Sequence, residues 1–415
     1  MKILVIGSGG REHAICEALK KSPKVTKIFA APGNAGVSQI ADCVPICETD
    51  VEKLLTFAKE NRIDLTVVGP EIALAAGVVD IFQANGLKIF GATKKAAQIE
   101  SSKEFAKNLM KKYDIPTAKY EVFKDYNAAV QYVAKHGTPI VLKYDGLAAG
   151  KGVVVAMTEN EAENTLKEML LNNKFGYGKV VIEEFLQGQE FSFMCFVNGK
   201  NVFPMELAQD HKRAFDGDLG ANTGGMGAYS PLPFITEEDK NFALENIMKK
   251  TAIALVSESC NFCGVLYGGL MKTPCGIKVI EFNARFGDPE TEVVLPRLES
   301  DIFDIFNDVI DGKTPDIQWN IQCALGVVLA SKGYPESYEK GFEIKKLDTL
   351  QNVQIFQMGT KISDGKLFTN GGRVLFITAL ADNLKSAREK VLTEISKVEC
   401  NNLFYRKDIG FQAIS

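Results

Sequence analysis

The chain has 415 residues, 46% of them hydrophobic and 24% charged, with a formal net charge of −4. That length exceeds one ordinary core and predicts about two to four domains of a soluble globular protein, while dispersed charge of both signs excludes a nucleic-acid scaffold and points to small ligands. No apolar run approaches the roughly 20 residues of a membrane span, and nine cysteines, an odd count set mostly among apolar neighbours as at Cys16, Cys195 and Cys323, fit reduced thiols better than a disulfide framework.

The amino terminus opens directly on a strand, MKILVIG, without the basic segment and apolar core of a leader, so a cytoplasmic location is expected. The first hundred or so residues then alternate β-rich runs (KILVIG, KIFAA, LTVVG, LKIFG) with helical patterns (REHAICEALKK, DVEKLLTFAKEN, GVVDIFQANG). That rhythm predicts right-handed βαβ units and a parallel sheet. Ligands then belong at the carboxyl ends of the strands, where Gly7-Ser8-Gly9-Gly10, Pro32-Gly33-Asn34-Ala35-Gly36 and Gly69-Pro70-Glu71 fall. GSGGREHA is not a dinucleotide fingerprint, because Glu12 takes the third glycine position and the second strand ends in Ala30-Ala31 rather than an acid. Its glycines either expose N–H groups at a helix start to a phosphate or carboxylate, or simply make a tight turn.

In GTPIVLKYDGLAAGKGVVVAMT, residues 137–158, two β-rich runs flank a loop with Gly146, Gly150, Lys151 and Gly152. The glycines let backbone approach a phosphate that Lys143 and Lys151 can neutralise, the alternative being an ordinary glycine-rich hairpin. The spacing is one residue too short for a Walker A loop, and a strand follows rather than a helix. After a helix comes VVIEEFLQGQEFSFMCFV, two strands around Gln187-Gly188, where backbone at Glu184 to Leu186 could meet an adenine and Glu190 a ribose, or the acids could line a solvated edge.

The segment DHKRAFDGDLGANTGGMGAYSP, residues 210–231, reads as a long, poorly structured loop suited to closing over a substrate. Further on, Cys260 and Cys263 have the spacing of half a zinc site, but no second pair or nearby histidine completes it; the histidines are His13, His136 and His211. A strand pair then ends in VIEFNARFGDPET, residues 279–291. Strand alternation puts Glu281, Asn283 and, if the strand continues, Arg285 on one face with Ile280 and Phe282 behind. Glu281 and Asn283 offer two hard oxygen ligands, the set Mg²⁺ takes when phosphates and water complete its shell. Arg285 suits a developing anionic oxygen and Asp288 an amine; a polar strand end with a salt bridge is the plainer alternative.

Taken together, VIGSGGREHA, APGNAG, VGPE, DGLAAGKGV, IEEFL, DHKR, NTGGMGAYSP, EFNARFGDPET, TNGGRVL and FYRKDIG, in this order along the whole chain, resemble the phosphoribosylamine–glycine ligase (glycinamide ribonucleotide synthetase) family of ATP-grasp enzymes. The resemblance implies an α/β and α+β multidomain chain. A Rossmann-like domain (1–118) precedes an ATP-grasp fold made of a lid (119–187) and a main subdomain with the metal strand (188–319), and a small α+β domain (320–415) follows. It implies an ATP- and Mg²⁺-dependent ligation, with Mn²⁺ as a possible substitute, of glycine to 5-phosphoribosylamine through a glycyl phosphate in purine biosynthesis. No protein nucleophile is required for such a reaction. The subunit number is left open between monomer and dimer.

Carried onto this chain, the resemblance makes Lys103 and Lys143 phosphate lysines, Gly150, Lys151 and Gly152 the lid loop, and Glu184, Leu186 and Glu190 adenosine contacts. Glu281 and Asn283 become metal ligands, Arg285 and Asp288 catalytic groups, and Asp210 and Lys212 the glycine pocket. Gly9, Gly10, Glu71 and Arg373 fall to phosphoribosylamine, Glu71 on the ribose hydroxyls and Arg373 on the 5′-phosphate. Ser101, Tyr144 and Ala221 depart from the family pattern without removing a charged or metal-binding group. The closing hundred residues read as antiparallel strands, a helix and a last strand near FYRKDIG. Two rival readings are another ATP-grasp ligase of purine metabolism, carboxylating or formylating, and a nucleotide-binding module without catalysis.

Overall fold

The computed structural model describes residues 1–146 and 152–414. Strands β1 (Lys2–Gly7), β2 (Lys27–Pro32), β3 (Asp42–Cys43), β4 (Leu65–Val68) and β5 (Ile89–Phe90) form a parallel sheet in the order β3-β2-β1-β4-β5. Ile3 to Ile6 are all buried because helices cover both faces, which is why these strands read as unbroken apolar runs. The chain steps outward from β1 through β2 to β3 and then returns to β4 on the other side. The turns after β1 and β4 therefore face each other at the switch point where such sheets bind ligands.

Strands β6 (Tyr120–Phe123), β7 (Ile140–Tyr144), β8 (Val153–Ala156) and β9 (Val180–Glu184) form a separate antiparallel sheet in the order β6-β9-β7-β8. Its apolar face packs on helices Tyr126–His136 and Glu159–Leu166 in a small core of its own, including Val133, Leu142, Leu166 and Ile182. A unit with its own core can shift as a body against its neighbour.

The strand that carries the acidic motif belongs to a third sheet. It contains β10 (Gln189–Asn198) and β11 (Asn201–Pro204), followed in the chain by β12 (Gln209–Asp210), β13 (Arg213–Phe215), β14 (Leu219–Asn222) and β15 (Gly227–Ser230), which lie elsewhere, and then by β16 (Cys263–Thr273) and β17 (Gly276–Asn283). The order is β11-β10-β16-β17, antiparallel throughout.

Residues 210–231 are not the open loop expected from their composition. β13 and β14 make a hairpin, and β15 is wholly buried between β12 and β18 (Cys323–Ser331). A buried backbone must find ladder partners. A side chain at Gly227 would meet Ile409 at 2.7 Å and the Gly326 carbonyl oxygen at 2.8 Å, so this glycine serves close packing.

The carboxy-terminal strands are β19 (Glu343–Ile344), β20 (Gln354–Gln357), β21 (Thr360–Ser363), β22 (Lys366–Thr369), β23 (Arg373–Ala381) and β24 (Leu403–Phe404). β18, β23 and β20 extend the β12-β15 pair into one sheet, covered by helix Leu384–Ile395. No helix among the described residues is long and apolar enough to cross a membrane.

The first and last parts of the chain meet where helix Gly10–Lys20 packs on β20. His13, 4% exposed, accepts a hydrogen bond at Nδ1 from the Gln357 backbone N–H, 2.9 Å away. Burial pushes the His13 imidazole down to about 4 from 6.5, so as pH falls below 6.5 the unfolded chain takes up the proton first. Stability is therefore complete above pH 6.5 and declines towards pH 4. A shift of that size corresponds to about 3 kcal/mol. His13→Gln, whose amide oxygen can still accept from Gln357, is expected to lose less stability than the parent between those limits, as read from urea midpoints.

Candidate active site

β17 and β16 pair with one irregularity: Glu281 faces Gly269 and Val279 faces Leu270, leaving Ile280 as an extra, bulged residue. A bulge frees backbone groups from the ladder, and the Ile280 carbonyl accepts from Lys143 Nζ at 2.9 Å. The strand ends at Asn283, so Arg285 does not reach the site by strand alternation. The chain turns there, and Arg285 Nη2 comes back to Asn283 Oδ1 at 3.0 Å. Glycine at 269, across from Glu281, leaves that carboxylate room; a side chain there would meet Glu281 Cγ at 3.3 Å.

Three lysines from three separate parts of the chain surround Glu281. Lys212 Nζ lies 3.7 Å from Glu281 Oε1. Lys103 opens helix Lys103–Lys112 behind the Ser102 cap and donates to the Gly146 carbonyl at 3.1 Å, and Lys143 comes from β7. Burial alone would raise the Glu281 carboxyl, but Lys212, Lys143, Lys103 and Arg285 outweigh it and hold it at about 2. Burial also pulls the Lys103 ammonium down, with Glu281 opposing. Four cations from separate parts of the chain thus converge on one carboxylate, an arrangement to which a polyphosphate could bind.

The same residues fit a divalent cation bound with that polyphosphate. Glu281 is ionised, and the Asn283 amide oxygen keeps a lone pair beyond its bond from Arg285. No cluster of three or more Asp, Glu, His or Cys side chains able to hold a metal occurs among the described residues. A hard cation at Glu281 and Asn283 would complete its shell with phosphate oxygens and water.

On β9, alternation sends adjacent acids to opposite faces. Glu183, 3% exposed, pairs with Lys143 at 3.0 Å and with Lys107 at 2.8 Å. Glu184 points the other way, to Lys278 Nζ at 3.0 Å and the Lys119 backbone N–H at 3.1 Å. The Glu184 backbone N–H donates to the Lys119 carbonyl at 2.9 Å, while Glu183 braces Lys143 from behind. Glu190 lies at the exposed start of β10, near Asp210 and Lys212. Gly152 closes the β7–β8 hairpin by accepting from the Tyr144 N–H at 2.8 Å, whereas Gly150 and Lys151 lie outside the described residues.

The other half of the site joins the parallel sheet to the region after β17. Glu71, at the turn after β4, meets Arg285 Nε at 3.3 Å, and Arg285 with Arg11 draws its carboxyl down to about 2 against the opposing pull of burial. At the turn after β1, the Gly9 N–H donates to Glu12 Oε2 at 2.5 Å, and Arg11 Nε to Glu12 Oε1 at 2.6 Å. A side chain at Gly69 would fall 2.0 Å from that carboxylate. Glu12 thus fills the crevice between the two turns, a physical reason for the absence of a dinucleotide fingerprint.

Asp288 Oδ1 lies 3.0 Å from Arg373 Nη1, which also donates to the Gly224 carbonyl at 2.6 Å. Asp210 Oδ1 is enclosed without a hydrogen-bond partner, and burial, reinforced by Glu290, pushes that carboxyl up. Glu290 itself accepts from Ser192 Oγ at 2.7 Å and Tyr267 Oη at 2.8 Å.

Lys103, Lys143, Lys212, Glu281, Asn283 and Arg285 thus meet around the end of β17, with Glu71 on one side and Asp210, Asp288 and Arg373 on the other. Sequence reasoning missed Arg11, Glu12, Glu100, Lys107, Glu183 and Glu290. Alternation on a strand already recognised would have separated Glu183 from Glu184; the others carry no local signal.

Family models described as the N domain, the ATP-grasp (A) domain and the C domain of phosphoribosylglycinamide synthetase match residues 1–100, 101–291 and 324–412. A phosphoribosylamine–glycine ligase of Halalkalibacterium halodurans is 54% identical over 418 residues, covering 100% of this chain and 98% of that protein. One from Pasteurella multocida is 50% identical, covering 100% and 99%. A crystal structure of phosphoribosylamine–glycine ligase from Thermotoga maritima superposes with a TM-score of 0.88 at 34% identity, over 98% of this chain and 100% of that one. A biotin carboxylase from Campylobacter jejuni, 16% identical with a TM-score of 0.76 over 99% of this chain and 94% of that one, shares the fold.

Proposed function

Because the chain belongs to the phosphoribosylglycinamide synthetase family, we propose how its residues divide the work of the reaction it catalyses, the ATP-dependent ligation of glycine to phosphoribosylamine in purine biosynthesis. The observation that carries this reading is the ionised Glu281 beside Asn283, ringed by Lys103, Lys143, Lys212 and Arg285. Glu281 and Asn283 would hold the divalent cation, Mg²⁺ in our reading with Mn²⁺ as a substitute, which when bound neutralises charge on the phosphates of ATP.

A carboxylate is a poor electrophile, so glycine must first take the terminal phosphoryl group of ATP as an acyl phosphate. Lys103 and Lys143 hold the phosphates in line for that transfer. Backbone at Glu184 and Leu186, with Glu190, holds the adenosine. Asp210 and Lys212 receive glycine: an ammonium entering beside Asp210 and Glu290 would give the enclosed Asp210 oxygen a partner.

The amine of 5-phosphoribosylamine then attacks the acyl carbon. A C–N bond forms, the C–O bond to phosphate breaks, and the amine proton passes to Asp288. Arg285 stabilises the charge that develops on the carbonyl and departing phosphate oxygens. The Gly9–Gly10 turn and Glu71 hold the sugar, Glu71 through the ribose hydroxyls. Arg373 fixes Asp288 and offers its remaining edge to the 5′-phosphate.

The test is ADP release from ATP and Mg²⁺ by the purified protein, with glycine and freshly generated phosphoribosylamine supplied together and each omitted in turn. ADP formed only with both, in step with the amide, is expected. Turnover with a different acid would indicate a sister ligase, and binding without turnover a non-catalytic module.

A further inference from the structure

One buried carboxylate outside the assigned groups grips the end of the metal strand. Glu100 lies in the short helix Gln98–Ser101, three residues before Lys103, with its side chain 8% exposed. Its Oε2 accepts from the Ala284 backbone N–H at 2.8 Å, and its Oε1 pairs with Arg285 Nη2 at 3.0 Å. A single carboxylate thus fixes both the backbone just after Asn283 and the guanidinium that follows it. Glu71 meets the same guanidinium at Nε, 3.3 Å away, and the Phe286 carbonyl takes Nη1 at 3.2 Å.

We propose that Glu100 is a positioning residue of the ligation: it holds Arg285 in the orientation that faces the reacting phosphoryl group and ties that orientation to the turn that delivers Lys103. This inference rests on the role given to Arg285 above. A free arginine side chain samples many rotamers, and stabilisation of developing charge depends on donors set before the reaction begins. Burial raises the Glu100 carboxyl while Arg285 opposes it, so the two charges depend on each other.

Glutamine at this position has one acceptor oxygen. If that oxygen serves Ala284, the amide NH₂ faces the guanidinium, donor against donor. Glu100→Gln is therefore expected to lower kcat about 10- to 100-fold, the scale of a small misplacement, with the KM for ATP changed by less than about threefold. Arg285→Lys should lower kcat at least as far, and the double variant no further than Arg285→Lys, because Glu100 acts through Arg285.

Glu100→Asp, which keeps the charge and both acceptor oxygens on a shorter stem, should recover part of the loss. It also serves the same cycle if Glu100→Gln proves too unstable to purify. Losses that multiply in the double variant, or an unimpaired Glu100→Gln beside an impaired Arg285→Lys, would overturn this proposal alone. An Arg285→Lys enzyme with full kcat would overturn the reading of Arg285 and the proposal with it.

Discussion

Glu281→Ala is expected to lower kcat by on the order of 10³-fold or more, because the change removes the ionised metal ligand where charge must be neutralised during phosphoryl transfer. The same substitution removes the carboxylate that Lys103, Lys143 and Lys212 share, although Lys143 keeps Glu183. Those cations still attract a polyphosphate, so nucleotide binding should persist while turnover collapses. The measurement is kcat against metal concentration beside nucleotide affinity by calorimetry. Full activity at limiting Mg²⁺ would sink the metal assignment.

Lys143→Met is expected to be the second most damaging change. Lys143 Nζ connects three parts of the molecule: Glu183 on β9 at 3.0 Å, the bulged Ile280 carbonyl on β17 at 2.9 Å, and the space where phosphates would lie. Methionine fills similar volume but donates nothing. The loss should be on the order of 10²- to 10³-fold in kcat, the scale of removing one transition-state donor. Glu183 keeps Lys107 at 2.8 Å but loses a partner while buried, which should cost about 1–3 kcal/mol of stability. Steady-state kinetics and urea midpoints on the same preparation separate the two effects. A variant with normal kcat and only lowered stability would reduce Lys143 to a strut.

What the sequence disclosed and what it hid follow from the range of the interactions. The parallel sheet was legible because burial on both faces writes Ile3 to Ile6 as an apolar run and Leu65 to Val68 as a mostly β-branched one, and local pattern suffices to read them. Glu281 and Asn283 were legible because polar groups interrupt such a run. The bulge at Ile280 was not, since it depends on the register with β16, and neither was the return of Arg285, since it depends on a turn beyond the strand end. Residues 210–231 were misread because their glycines signal mobility locally, whereas the burial of β15 within them is set by pairing with β18, more than ninety residues downstream. Glu100 sits in a four-residue helix, too short to show periodicity, and its partners lie 184 and 185 positions away in sequence.

The central claim is that this site activates the glycine carboxylate by phosphorylation before the amine attacks. Supplying glycine labelled with ¹⁸O in both carboxylate oxygens and analysing the inorganic phosphate by mass spectrometry tests it most directly. The account predicts one labelled oxygen in each phosphate released, in step with amide product. Unlabelled phosphate from a reaction that still yields the amide would contradict it, because the carboxylate oxygen would then have left by another route.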